Sequence, residues 1–353
     1  MKILKVALYI ITSFLAFITI IFSLGSLLCK FADISPTSIM QIFGYLSFFW
    51  ILVLAGVVFL LLLLIRNWRI AISYLAMMAV FTFLLHDFSL RSLTHRIPEN
   101  IGNYDTLKVA AYNVKYYSFG IENLSKYIQE SDIDVFMLSE SVLTPDNMDF
   151  LKNNLSSYSV FSDSGRDLSI LSRYPVVDYK IIELPTFLAS FSSGNDIEKL
   201  KENGIHRSFV HAVVDVNGSK VNILSLRLIA GRAKDKSIAE IIKWGQYLKY
   251  AQDQELTVFL SYLDSLKGPV IFGGDLNCPP NSGIIHRIKK HVYDSYLDEH
   301  LYGSFTFKAS FPTMRLDYIF HSKDIITKNS KIVNPHLSDH FMVRSEFLIP
   351  SQN

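Results

Sequence analysis

Phe272-Gly-Gly-Asp-Leu-Asn-Cys-Pro-Pro280 ends an apolar run with Asp275 and Asn277 two residues apart. In a strand that spacing puts both side chains on one face. Val270-Ile-Phe272 reads as a buried strand. The glycines and prolines around the acid mark its opening into a loop, the usual seat of catalytic groups. A carboxylate and an amide then project together from a rigid edge. An Asx turn, in which the same side chains satisfy backbone donors, uses the same spacing, so this stretch alone leaves both readings open.

Outward from it, Arg315-Leu-Asp-Tyr-Ile-Phe320 places Asp317 in a second apolar strand, and Ser338-Asp-His340 precedes apolar Phe341-Met-Val343. A buried aspartate requires a partner, because desolvating an unpaired carboxylate is costly. His340 supplies one: an Asp–His pair orients the imidazole and raises its basicity, while adjacent Asp339 is placed to face a metal or a water. Upstream, Val109-Ala-Ala-Tyr-Asn113 and Asp134-Val-Phe-Met-Leu-Ser-Glu140 are apolar strands that end in one polar residue. Four strand ends thus carry Asn, Glu, Asp/Asn and Asp/His.

Taken together these motifs resemble the endonuclease/exonuclease/phosphatase superfamily, which includes DNase I-like nucleases, bacterial sphingomyelinases and inositol polyphosphate phosphatases. They occur in family order: Asn113, Leu138-Ser-Glu140 where the family usually has Leu-Gln-Glu, Ser169-Ile-Leu-Ser-Arg-Tyr-Pro175, Gly274-Asp-Leu-Asn277, Arg315-Leu-Asp-Tyr318 and Ser338-Asp-His340. No single motif of this kind decides the matter; the ordered set does. The resemblance spans Leu107 to Leu348. It implies an α/β (α+β) fold, a two-sheet DNase I-like four-layer sandwich with the site at one end of the sheets.

It also implies metal-assisted attack of water on a phosphate ester. Glu140 would bind a divalent cation, Mg²⁺ first and Mn²⁺ second, since carboxylate and water ligands suit a hard ion. Asn113 and Asp339 would complete or support that site. Asp275 and the Asp317–His340 pair would orient and deprotonate the attacking water, with the base left open between Asp275 and His340. Asn277 and Arg227 would hold the non-bridging phosphate oxygens. Tyr318 and Asn113 also suit plain core-edge positions. One departure matters: Val221-Asn-Ile-Leu-Ser-Leu-Arg-Leu228 offers Arg227 where the family usually has His. Arg grips a phosphate with two donors but cannot shuttle a proton. A degenerate copy, with Arg227 as a surface strand residue, is the competing reading.

The N-terminal quarter is of another kind. Three runs almost free of charge, Leu4 to Cys29, Ile39 to Ile65 and Ile70 to Leu85, approach the roughly 20 helical residues that cross a bilayer. Residues 1–87 therefore read as three transmembrane helices, 88–106, with Pro98 and Gly102, as a linker, and 107–353 as one catalytic domain. A cleaved signal peptide competes for the first run only, which is long for one and lacks a clear cleavage site. Lys2 and Lys5 before the first helix, with Arg66 and Arg69 between the second and third, fall on one side. The positive-inside rule makes that side cytoplasmic, against a weaker bias from Lys30, Arg91 and Arg96. The expected location is the inner membrane with the domain facing the periplasm.

Membrane tethering favours a substrate near the bilayer: a phospholipid head group, a lipid-linked phosphate, or nucleic acid entering the periplasm. The reading is a phosphodiesterase or nuclease-type enzyme whose partners are the bilayer and a phosphate ester, with no obligate protein partner. The alternatives are a sphingomyelinase-like lipid hydrolase and a membrane-anchored binder that has lost turnover. A formal net charge of +2 argues against strong non-specific attraction to nucleic acid. Arg287, Lys289, Lys290 and His291 form a modest basic cluster that reads as a solvated helix face. Phe305, Phe307 and Phe311 suit core packing, lipid contact or base stacking. Cys29 and Cys278 lie in unlike settings, so no disulfide is expected between them.

Overall fold

The computed structural model describes residues 2–31, 48–85, 87–163, 166–185, 207–230, 238–308 and 314–351. Ile39, His86, Phe311 and Ser237 lie outside them. The described strands form two six-stranded sheets. The first, in spatial order, contains β11 (Ile326–Val333), β12 (Met342–Pro350), β1 (Tyr104–Asn113), β2 (Val135–Ser139), β4 (Leu168–Ser172) and β3 (Ser159–Ser162). The second contains β5 (Val176–Leu184), β6 (Arg207–Val216), β7 (Ser219–Ser225), β8 (Val270–Asp275), β10 (Asp317–His321) and β9 (Tyr293–Asp294). Among the described strands only β1–β2 and β7–β8 pair in parallel.

Alternation along each strand explains the layering. Val109, Ala111, Val135 and Met137 point between the sheets and meet Val210, Ala212, Ile223, Ile271 and Ile319 from the other side. The intervening Ala110, Tyr112, Phe136 and Leu138 point outward, under helices Ile121–Glu130 and Pro145–Asn154. Phe209, Leu224, Phe272 and Phe320 do the same on the second sheet, under helices Ile238–Ser265 and Gly283–Ile288. Helix, sheet, sheet, helix is the four-layer sandwich the motifs implied. Each fully buried Phe or Ile contributes on the order of 1.5–3 kcal/mol, so the central strands, buried on both faces, fix the frame.

Register then sets the site. The β1–β2 pairing puts Asn113 opposite Ser139, next to Glu140. In β8–β10, Asp275 is directly opposite Asp317. Beyond β7, Leu226 N donates to Gly273 O at 3.0 Å and Leu228 N to Asp275 O at 3.3 Å, which carries Arg227 to the level of Asp275. Gly274 is required there: its φ is +141° and a Cβ would run into the Leu226 carbonyl.

Among the described residues, two helices are long and apolar enough to cross a membrane: Lys5–Phe31, of 27 residues and mean hydropathy 2.3, and Trp68–Leu85, of 18 residues and mean hydropathy 1.7; the helix at Trp50–Leu64 is shorter. Their inner faces pack Ile51, Ala55, Val58 and Leu62 against Ala71, Tyr74 and Met78. Leu60, Leu64 and Ile72 remain exposed on the outside. Cys29 and Cys278 form no disulfide with each other.

The stretch expected to be a linker is docked onto the domain. Gly303 N donates to Asp87 O at 2.7 Å, Phe88 pairs with Tyr302, Arg91 Nε donates to Asp298 at 2.5 Å, and His95 Nε2 lies 2.6 Å from Thr327 O. Buried Asp87 also accepts from Arg315 Nη1 at 2.5 Å and Lys289 Nζ at 2.6 Å. These partners lie far along the chain, so local polarity gave no sign of them. β1 also begins earlier than Leu107, at Tyr104, because Tyr104 pairs with Pro350 at the end of β12.

Candidate active site

The polar strand ends converge at one end of the sandwich. Asp275, Asp317 and His340 are all buried, and their ligand-type atoms lie within 4.8 Å of one another. His340 Nδ1 lies 2.8 Å from Asp317 Oδ2, the pairing the sequence suggested. Thr306 Oγ1 accepts from Asp317 N at 3.0 Å, and the Phe307 ring sits 4.7 Å from the His340 ring, so the imidazole is fixed from two sides. Burial favours the neutral imidazole, but the carboxylates of Asp317 and Asp275 outweigh it and raise the His340 pKa above its ordinary value. Asp317 Oδ1 has no hydrogen-bond partner although the residue is fully buried.

Asp275 uses both oxygens. Oδ1 accepts from Asn277 N at 3.0 Å, which is the Asx turn; Oδ2 accepts from Asn113 Nδ2 at 3.0 Å. The local turn and the projection into the site therefore coexist. Asn277, at φ 50°, donates its amide to Leu228 O at 3.0 Å. Asn113 Oδ1 accepts from Lys115 N at 2.9 Å.

Arg227 lies at the centre of the charge. Its Nη2 donates to Glu140 Oε1 at 2.6 Å and its Nη1 to Asp167 Oδ2 at 2.5 Å, while Nε stands 3.9 Å from Asp275 Oδ2 with no hydrogen-bond partner. Burial opposes the charge, yet Asp167, Asp275 and Glu140 together hold the guanidinium pKa above its usual value. The residue is 7 % exposed, so it is no surface strand residue. Glu140 follows β2 at φ 52°, a left-handed conformation that turns its carboxylate toward Arg227. On the far side Asp339 pairs with Lys115 Nζ at 3.0 Å; burial acts to raise its carboxyl pKa, but the Lys115 hydrogen bond and the His340 charge hold it below the usual range.

Sequence reasoning missed Asp167, Lys115, Thr306 and the packing of the Phe307 ring, tilted by 45°, against His340. Asp167 precedes the Ser169 motif, and Ser141 N donating to Asp167 O at 3.1 Å sets it beside Glu140. Lys115, Tyr116 and Tyr117 are three consecutive left-handed residues, at φ 48°, 51° and 57°, a strained turn with no glycine to signal it.

The oxygen donors at this end are of the kind a hard divalent cation takes, and the group whose ligand atoms lie together is Asp275, Asp317 and His340. Glu140 and Asp339 offer carboxylates and Asn113 an amide oxygen, all hard ligands. Buried Asp317 Oδ1 still lacks a donor or cation. Arg227 on Glu140 is the charge such an ion has to share or displace.

The model of the Endonuclease/Exonuclease/phosphatase family matches residues 110–340. Among solved structures the chain is similar to humanized D. rerio TDP2 carrying 14 mutations, at 19% identity and TM-score 0.52 over 69% of this chain and 98% of that one. It is also similar to D. rerio TDP2 complexed with single strand DNA product, at 19% identity and TM-score 0.51 over 69% and 98%. The endonuclease/exonuclease/phosphatase from Bacteroides vulgatus shares 14% identity and TM-score 0.51 over 69% and 99%. At these identities the likeness establishes the fold. No curated protein matches the chain.

Proposed function

The chain belongs to the endonuclease/exonuclease/phosphatase family, hydrolases of phosphate esters, and from that premise we propose that it is a membrane-tethered phosphodiesterase or nuclease-type enzyme dependent on Mg²⁺, with Mn²⁺ as a substitute. One observation carries the reading. Asp275, Asp317 and His340 meet beside Arg227, and two buried atoms there, the Arg227 Nε donor and the Asp317 Oδ1 acceptor, have no partner in the protein. Leaving such groups unpaired costs about 1–3 kcal/mol each. A bound phosphate and its attacking water supply what both lack.

Glu140, with Asn113 and Asp339, would hold the cation, which when bound polarises a phosphate oxygen and offsets charge in the transition state. The remaining work falls to the chain's own groups. Arg227 Nε donates to a non-bridging oxygen while its two Nη groups stay fixed on Glu140 and Asp167. Asn277 adds a second donor when its amide exchanges the Leu228 carbonyl for the substrate. Asp317 holds the His340 ring through Nδ1, leaving Nε2 for proton transfer, and Asp275 faces the same space. Either Asp275 or His340 takes the proton of the attacking water.

A lipid-linked or phospholipid phosphate ester is the second reading. Leu301, Tyr302 and Phe305 are exposed on the segment that leads to Phe307 and His340, where they suit contact with acyl chains. The deciding assay offers the purified chain DNA, RNA, phospholipids and simple phosphomonoesters and diesters, with Mg²⁺, Mn²⁺ or chelator. Cleavage of at least one class, lost on chelation, is expected. No metal-dependent cleavage of any of them would leave a binding domain that has lost turnover.

The domain after Thr106 is assigned to the extracytoplasmic side by the placement of Lys2, Lys5, Arg66 and Arg69. A reporter active only in the cytoplasm and fused after Asn353 is expected to stay silent; a bright signal reverses the orientation.

A further inference from the structure

Away from the catalytic end, a cavity of about 270 Å³ opens where the first helix meets the domain. Gly283 sits so close to the Cys29 carbonyl that a Cβ would crowd it at 2.8 Å, and the Phe31 ring meets His286 edge-on at 4.8 Å. Lys30, Lys249, His286, Arg287, Lys290 and His291 line the cavity, and among the described residues no carboxylate does. The acids nearby compensate only part of this charge. Asp253 is shared between Lys249 and Arg287, Asp264 takes His291 at 2.7 Å, and exposed Lys290 has no ion-pair partner among the described residues. The surplus is felt at His286, whose pKa is lowered first by burial and then by the charges of Lys290, Lys30 and Lys289.

An apolar stripe leads to this cavity. Ile21, Leu24, Leu28 and Phe31 are all exposed on the first helix, and their spacing of three, four and three residues keeps them on one face. Cations at the mouth of an apolar helix face form a complementary surface for an amphiphile with an anionic head. We propose that the cavity binds the phosphate of an anionic phospholipid, whose chains lie along Ile21, Leu24 and Leu28. Bound there, the lipid fixes the level at which the catalytic domain stands on the bilayer. The proposal rests on the membrane-spanning reading of the first helix given above. Inorganic phosphate offers the same anion without the chains, which is how the two sources are told apart.

The test uses the full chain purified in neutral detergent, titrated with fluorescent phosphatidylglycerol, fluorescent phosphatidylcholine and inorganic phosphate. Phosphatidylglycerol is expected to bind at least about 10-fold more tightly than phosphatidylcholine, and Lys290→Glu to remove most of that preference. Lys126→Glu, on an exposed helix face elsewhere, is expected to leave it intact. Equal affinity for the two lipids, or an unchanged preference in the Lys290→Glu variant, overturns the proposal. Displacement of phosphatidylglycerol by equimolar inorganic phosphate overturns the lipid as the source. A chain that stays soluble without detergent would instead overturn the membrane-spanning reading itself, so the two failures are distinct.

Discussion

Glu140→Gln is expected to lower metal-dependent hydrolysis by about 10³-fold or more, equivalent to roughly 4 kcal/mol of transition-state stabilisation. The fold should survive. Gln has the shape of Glu, and its amide oxygen can still accept from Arg227 Nη2, so the β2 end and the left-handed turn at residue 140 keep their partners. What disappears is one negative charge at the strand end beside Asn113. A divalent cation held by carboxylates loses affinity steeply when a ligand charge is removed, and Arg227 already competes for this one. Calorimetric titration with Mg²⁺ or Mn²⁺ should therefore show weakened binding in parallel with the rate. An enzyme that keeps both its activity and its full complement of metal after this change would remove Glu140 from the site.

The carboxylates of the candidate site were legible in the sequence because an acid at either end of a buried strand is conspicuous. Asp275 and Glu140 come at the ends of apolar strands and Asp317 at the start of one, and the sheet register brings Asp275 opposite Asp317. The Asp317–His340 pair was legible for a related reason, since a fully buried aspartate has to be paired. The partners of Arg227 were not. Glu140 lies 87 residues away and Asp167 lies 60 away, and neither separation leaves a trace in local pattern. The same holds for the docking of Asp87 on Arg315, 228 residues apart, which turned an expected linker into a fixed strap. Two-residue β9 lies below any periodicity signal, and the run of left-handed residues from Lys115 to Tyr117 breaks the rule by which turns are read from glycine. Local chemistry reveals which residues are unusual; long-range pairing decides what they do.

That division makes Arg227 the decisive residue. Arg227→Ala is expected to lower kcat/KM by about 10²-fold, the cost of losing one preorganised donor to a developing oxyanion. It also leaves Glu140, Asp167 and Asp275 facing one another without their shared cation, which should destabilise the metal-free protein by about 3–5 kcal/mol. The same crowding of carboxylates should draw a divalent ion more strongly, because the guanidinium on Glu140 no longer opposes it. Thermal unfolding with and without Mn²⁺ separates these effects: the Ala variant should melt lower than the parent in chelator and recover more of its stability when the ion is added. Arg227→His, which restores the usual family residue, should retain or raise activity, since an imidazole can hold a phosphate oxygen and also move a proton. In a domain that only binds, neither substitution has a turnover to change, yet Arg227→Ala should still weaken affinity for a phosphate ligand. If the Ala variant turns over substrate as fast as the parent, Arg227 takes no part in the chemistry, and its place beside Asp275 serves only to neutralise Glu140 and Asp167.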